Sequence, residues 1–306
     1  FDAPARKVVL IGYGQVMSAL ELGCASRIIA VDTYSSNVMK ETGMNLKGIG
    51  SIFGYEGRAQ IKNELLQMQR DNVYNPDTDW ILVSELDGSS LKGKYKIITL
   101  VDDFPTYDDV MKSISDLGKI LSADASGLIE DMVTVKREIA SKVDAYGLKS
   151  APVLHISSKE KIYNASVLIS MVEDIFRGVN VGKNNAKSGS SYSADRSEIL
   201  RLVTENKGTV VFVDAGSDGI GSLRSTLPGE KIVQMTREGN NTGPSLCMGL
   251  WDVATALYPQ YFSGDMPHDD HEDQEFVKSV IVWMCVITLV GIFGFVAIKQ
   301  YGRILG

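Results

Sequence analysis

Cysteine, histidine and tryptophan are scarce in this chain, with three of each among 306 residues. Three cysteines cannot build a disulfide scaffold. Cys285 lies in an apolar run, and Cys24 and Cys247 pair only if the fold brings them together; two buried free thiols are the simpler expectation. Three histidines leave little for a bare divalent metal, which needs several converging His, Cys or carboxylate ligands. His155 sits inside an apolar segment and reads as a core residue, while His268 and His271 flank Asp269-Asp270 in a polar stretch. Positive charge is also short: 31 Lys and Arg stand against 38 Asp and Glu, a net charge of −7. Nothing in this balance suggests the basic face that nucleic acid requires. Gly216-Ser217-Asp218-Gly219 is not a Gly-x-Ser-x-Gly elbow, and no glycine-rich stretch ends in the Lys-Ser/Thr of a phosphate cradle. With no nucleophile–base set visible, an enzyme is not expected.

What the chain does have is a long apolar run. Ser279 to Ile298 carries no formal charge, with Lys299 and Arg303 behind it and an acidic stretch, Asp265 to Glu275, ahead. About twenty helical residues rise roughly 30 Å, the thickness of a bilayer's hydrocarbon core. Basic flanks stay cytoplasmic, which predicts a single-pass cell-membrane anchor with the bulk of the chain outside. An outward-facing domain needs a leader, so one removed ahead of Phe1 is expected. The sequons Asn164-Ala-Ser166 and Asn240-Asn-Thr242 add weak support for an external location.

Ahead of the anchor, short apolar runs alternate with helical patterns. Strands are expected at Lys7–Ile11, Arg27–Val31, Trp80–Val83, Lys96–Leu100, Val153–Ile156, Thr209–Val213 and Lys231–Met235. Helices are expected at Gln15–Leu22, Gln60–Gln69, Asp108–Leu121, Tyr163–Phe176, Ala194–Thr204 and Ser245–Leu257. Between the halves, Ser126–Tyr146 reads as one long helix, with Leu128, Ile129, Met132, Val133, Ile139 and Val143 apolar. This order predicts an α/β fold of two parallel-sheet lobes joined by one long helix, plus a C-terminal transmembrane helix. The expected boundaries are a first lobe at 1–124, a connecting helix at 125–147, a second lobe at 148–263, an acidic linker at 264–276, a transmembrane helix at 277–298 and a cytoplasmic tail at 299–306. Asn180–Ser193 is rich in glycine, serine and asparagine and reads as a loop.

Gly12-Tyr13-Gly14 follows the first strand, and Asp32 ends the second, close to a dinucleotide-binding fingerprint. Met17 occupies the third glycine position, and the helix is short for that role. A Rossmann-type, NAD-dependent oxidoreductase is therefore a secondary alternative.

Ala5 to Tyr34 resembles the opening of the class III solute-binding proteins of ABC importers, the group that binds cobalamin, ferric siderophores and haem. Asn75–Glu85 (NPDTDWILVSE) resembles that family's "PDLVI" strand, with two residues inserted. Arg177–Asn184 resembles its "GGxN" segment, and Ser197–Asp214 its "SxExLLxxNPDxIxxxD", though Glu205–Gly208 replaces most of the turn. Gly243-Pro244, with a helix ending Leu257-Tyr258-Pro259, resembles its final "GPR…LYP" helix without the Arg. The likeness covers roughly residues 5–262. It implies a ligand cleft between two lobes, with the long helix limiting hinge closure. It also implies an iron chelate or corrinoid as ligand, no covalent cofactor, and an ABC permease with its ATPase as partners. By position, Glu64 and Glu198 match the acids that dock the permease. An alternative use of the same fold is a structural or assembly subunit of a membrane-bound surface complex.

Ligands of open parallel sheets lie beyond the carboxyl ends of the strands. Those ends carry Tyr13, Gln15, Tyr34, Ser84, Glu85, Phe104 and Tyr107 in the first lobe, with Asp102 and Asp103 nearby. In the second they carry Ser158, Tyr163, Arg224 and Arg237, with Ser157, Lys159, Ser217, Asp218 and Asn240 nearby. Aromatic faces suit bulky chelates, and Arg or Lys suits carboxylates or catecholates.

Overall fold

The first strand, β1 (Val8–Ile11), shows how the first sheet is built. All four of its residues are buried because side chains alternate between two covered faces. Val8 and Leu10 join a core with Val16 and Ala19 of α1 (Tyr13–Glu21) and Leu117, Ile120 and Leu121 of α4 (Tyr107–Leu121). Val9 and Ile11 point the other way, into a core with Ile61, Leu65 and Met68 of α3 (Gly54–Arg70). Beside β1 lie β2 (Ile28–Val31) and β3 (Trp80–Ser84), and β4 (Ile97–Val101) follows, in the all-parallel order β2-β1-β3-β4.

The computed structural model describes residues 4–51, 54–84, 95–101, 105–157, 161–184, 189–215, 220–237, 239, 241–263 and 266. The expected membrane helix and tail, and all of the expected linker but Met266, lie outside these residues. Among the described residues no helix is long and apolar enough to cross a membrane.

The connecting helix is α5 (Ser126–Ala145). Its buried residues Met132, Val135, Ile139 and Val143 recur at three- and four-residue spacing, one helical face. Val133, expected on that face, is exposed. The buried face belongs to one apolar cluster that includes Val110 and Ile114 of α4, Leu168 and Val172 of α6 (Val167–Asp174), and Leu250 and Ala254 of α9 (Leu246–Leu257). The two halves therefore share a core along α5, and the described chain up to Met266 is a single compact unit.

The second sheet departs from expectation. Its order is β10-β9-β5-β6-β8, with β7 (Val179–Asn180) also on β5. The strands β5 (Pro152–Ile156), β9 (Val210–Val213) and β10 (Lys231–Gln234) are parallel, but β6 (Lys161–Tyr163) and β8 (Ser191–Ser193) add antiparallel pairings, so the sheet is mixed. Tyr163, expected to open a helix, ends β6, and α6 begins only where Ser166 caps it by accepting from the Ile169 amide. Three helices complete the set: α2 (Thr33–Glu41) and α8 (Ile220–Thr226), both unforeseen, and α7 (Arg196–Glu205). Leu154, Ile156, Val211 and Val213 pack on Ile199, Leu202 and Val203 of α7 and Leu223 of α8.

Candidate functional site

The carboxyl ends of β1 and β2 are shaped by one carboxylate. Asp32 is buried and caps α2, accepting from the Ser35 amide and hydroxyl at 2.9 and 2.6 Å. Its other role is to accept the Gly12 amide at 2.9 Å, which fixes the Gly12-Tyr13-Gly14 turn against the neighbouring strand. Gly12 itself has φ 121°, a conformation that favours glycine. The acid of the dinucleotide-like fingerprint thus serves the backbone rather than a ribose.

The N-terminal turn of α1 is covered as well. A Cβ built on Gly14 would lie 2.5 Å from the Thr242 carbonyl carbon and 2.7 Å from the Gly243 amide nitrogen. The loop from β10 into α9 therefore presses its backbone onto α1, where a pyrophosphate would have to sit. That loop is stiffened from behind. A Cβ on Gly249 of α9 would lie 1.7 Å from the Gly239 carbonyl oxygen. The Asn241 side chain accepts the Gly243 amide at 2.6 Å and donates to Ser245 Oγ at 3.1 Å.

Around this junction the structure brings together three of the predicted ligand residues. Tyr13 and Tyr34 meet edge to face, with ring centroids 6.2 Å apart, and Tyr34 is mostly exposed. Arg237 reaches across from the second sheet's side and donates from Nη1 to Glu41 Oε2 of α2 at 2.9 Å. The guanidinium pKa is raised, first by that hydrogen bond, and the nearby Tyr34 and Tyr13 hydroxyls act in the same direction. Gln15, one residue past the Gly14 contact, is fully buried, and among the described residues neither its amide nitrogen nor its oxygen has a protein partner. An unsatisfied buried amide is costly and rare.

The other predicted residues fall elsewhere. Tyr107 is not available to a ligand: it is buried between α4 and α5, donates its hydroxyl to the Met132 carbonyl at 3.1 Å, and has its pKa pushed up, chiefly by burial. Tyr163 is drawn into a second-sheet network. Its ring stacks on His155 with centroids 4.4 Å apart, and its hydroxyl donates to Asp214 Oδ2 at 2.9 Å. His155 is buried, with Nε2 2.9 Å from Asp214 Oδ1 and Nδ1 2.9 Å from Ser166 Oγ. This is the partnered core histidine expected from its strand position. Ser157 turns back on its own hairpin, accepting the Lys161 amide at 3.0 Å. Arg224 lies exposed on α8. Ser84 ends β3, and Glu85, Asp102, Asp103, Phe104, Ser158, Lys159, Ser217, Asp218 and Asn240 lie outside the described residues.

Both predicted docking acids are ion-paired and partly exposed. Glu64 meets Lys47 at 3.0 Å, and Glu198, in the first turn of α7, meets Arg201 at 3.0 Å. Cys24 and Cys247 are free thiols, and burial raises Cys247 to a pKa of about 11. The Asn164 sequon is tied into the fold, since its amide donates to the Gly189 carbonyl and accepts from the Asn184 amide. Among the described residues no group of three or more potential metal ligands converges. A cavity of about 540 Å³ lies at the turn from α4 into α5, lined by Gly118, Ala123, Ile129 and Val133 among others, at the end of α4 remote from the junction just described.

Sequence reasoning missed Glu41 and the Thr242–Gly243 contact. A polar helix ending in Glu carried no signal for the first. The Gly243-Pro244 dipeptide marked a turn without saying what it touches.

No family model matches the chain, and no curated protein matches it. Solved structures do. The chain is similar to Helicobacter pylori CeuE with Ni(II) bound, at TM-score 0.66 and 16% identity, covering 86% of each chain. It is similar to the periplasmic haem-binding protein RhuT from Roseiflexus sp. RS-1, at TM-score 0.57 and 17% identity, over 83% of this chain and 98% of that one. The periplasmic vitamin B12-binding protein BtuF of Vibrio cholerae matches at TM-score 0.60 and 12% identity, over 83% and 97%. The fold is that of the class III periplasmic binding proteins, as the sequence resemblance implied.

Proposed function

We propose that this chain is the solute-binding component of an ABC importer, capturing a metal chelate or corrinoid between its two lobes and delivering it to a permease. The observation that carries this reading is the junction of Tyr13, Tyr34 and Arg237, drawn from both halves of a class III binding-protein fold. Aromatic edges and a guanidinium suit a bulky, partly anionic chelate. The shared core along α5 limits closure, so the cleft is largely preformed. Glu64 and Glu198 orient the protein on its permease; exposed pairs steer more than they hold. The apolar run at 279–298 anchors the chain in the cell membrane with residues 1 to about 275 outside.

Equilibrium dialysis of the purified full chain against haem, cobalamin and ferric siderophores tests the reading. Retention of one equivalent of one ligand supports it. Retention of none by protein shown to be folded rejects it. That outcome would favour the assembly-subunit reading, for which the backbone contact of Gly14 with Thr242 and Gly243 speaks, because it closes one end of the space between the lobes.

A further inference from the structure

The Arg237–Glu41 pair has features unlike the other ion pairs. It joins groups 196 residues apart, one from each half of the chain. Glu41 sits in the last turn of α2, where exposed carbonyls disfavour a carboxylate. It pairs with Arg237, and 65% of its side chain is exposed. Among the described residues Arg237 donates through Nη1 alone, which leaves Nε and Nη2 as further donors. The bond tethers the loop that rests on the first turn of α1, where Gln15 lies buried. The tie between the halves is therefore a single, partly exposed ion pair of small net worth.

We propose that Arg237–Glu41 is an inter-lobe latch in which Glu41 stands in for an anionic ligand, and that a carboxylate- or catecholate-bearing chelate opens it by replacing Glu41 on Arg237. This rests on the binding-protein reading and narrows its ligand class to anionic chelates. Glu41 becomes a built-in competitor that sets affinity, and uncharged ligands gain nothing from the exchange. A bidentate acid uses the guanidinium donors that Glu41 leaves idle, so it displaces a one-bond tie.

Two measurements on the full chain test this. In hydrogen exchange without ligand, Glu41→Gln should speed exchange in residues 236–246 about threefold, and raising the salt on wild type should do the same. In titrations, Glu41→Gln should tighten haem or a ferric tris-catecholate by about threefold, and Arg237→Gln should weaken it by about tenfold or more. Cyanocobalamin, which has no net charge, should lose no affinity in Arg237→Gln. Unchanged exchange in Glu41→Gln overturns the latch. Equal effects on charged and uncharged ligands, or binding of cobalamin alone, overturn the anionic class while leaving a binding protein. Binding of no ligand by any folded variant overturns the underlying reading, and the proposed ligand class with it.

Discussion

Replacing Gly14 by alanine probes the contact between the halves with a single methyl group. The backbone is helical there, so the change alone should stabilise α1 by about 1 kcal/mol. Against this, the new Cβ would stand 2.5 to 2.8 Å from three backbone atoms of Thr242 and Gly243, where ordinary contact begins at 3.4 Å. Those atoms cannot rotate away as a side chain would. They are clamped from behind by the Gly239–Gly249 approach. The clash must be relieved by a movement of nearly 1 Å, and overpacking of this kind costs about 1–3 kcal/mol. The steric term wins, leaving a net loss of about 0–2 kcal/mol, or several degrees at most in Tm for a unit of this size. Gly127→Ala is the internal control. Gly127 lies in α5 with nothing within 4 Å of its built Cβ, so the same substitution should stabilise by about 0.4–1 kcal/mol and raise Tm. Differential scanning calorimetry of both variants decides it. If Gly14→Ala stabilises as much as Gly127→Ala, the loop does not rest on α1 and the reasoning fails.

Ile139→Ala, in the fully buried face of α5, should cost about 2–5 kcal/mol and still give one cooperative calorimetric transition, because the halves share that core; two resolved transitions would contradict it. Tyr163→Phe removes the donor to Asp214 and should cost about 1 kcal/mol in denaturant unfolding, with an unchanged midpoint as the contrary result. Asp109 is held below the usual carboxylate range, first by the Thr106 amide and then by its hydroxyl. Its folded pKa is depressed, so its contribution is present above the ordinary carboxyl value of 3.8 and fades as pH falls through the lower folded value. The Tm advantage of wild type over Asp109→Asn should therefore shrink between about pH 6 and pH 3, whereas a constant gap would show that Asp109 is not so held. Cys247, pushed up to about 11 by burial, should resist iodoacetamide at pH 8 until the chain unfolds, as mass spectrometry of the labelled peptide would show.

The central strands were legible because they are buried on both sides. VVLI, IIAV, WILV and VVFV leave no polar face to confuse with a helix. The connecting helix was legible from its spacing, although Val133 shows that one apolar residue off the stripe is no guide to burial. The elements that were missed depend on distant partners. The buried face of α2 uses Ser35 and Ser36 with Val38 and Met39, so its hydrophobic signal is weak. Strands β6, β7 and β8 are two or three residues long and are defined by pairing to β5 or to each other. The site divides the same way. Tyr13, Tyr34 and Arg237 were placed by the rule that ligands gather at strand ends, but strand ends do not say which side chains the fold claims for itself. Tyr107 went to the core, Tyr163 went to Asp214, and Glu41 came from a helix end that no local pattern marks.

The central claim is capture of a chelate, and titration of the full chain with haem, cobalamin and ferric siderophores tests it most directly. Trp80 and Trp251 report through fluorescence, and the ligands report through their own absorbance. Saturable one-to-one binding of one of these ligands, at about micromolar affinity or tighter, is the predicted result. Failure of folded protein to bind any of them would contradict it.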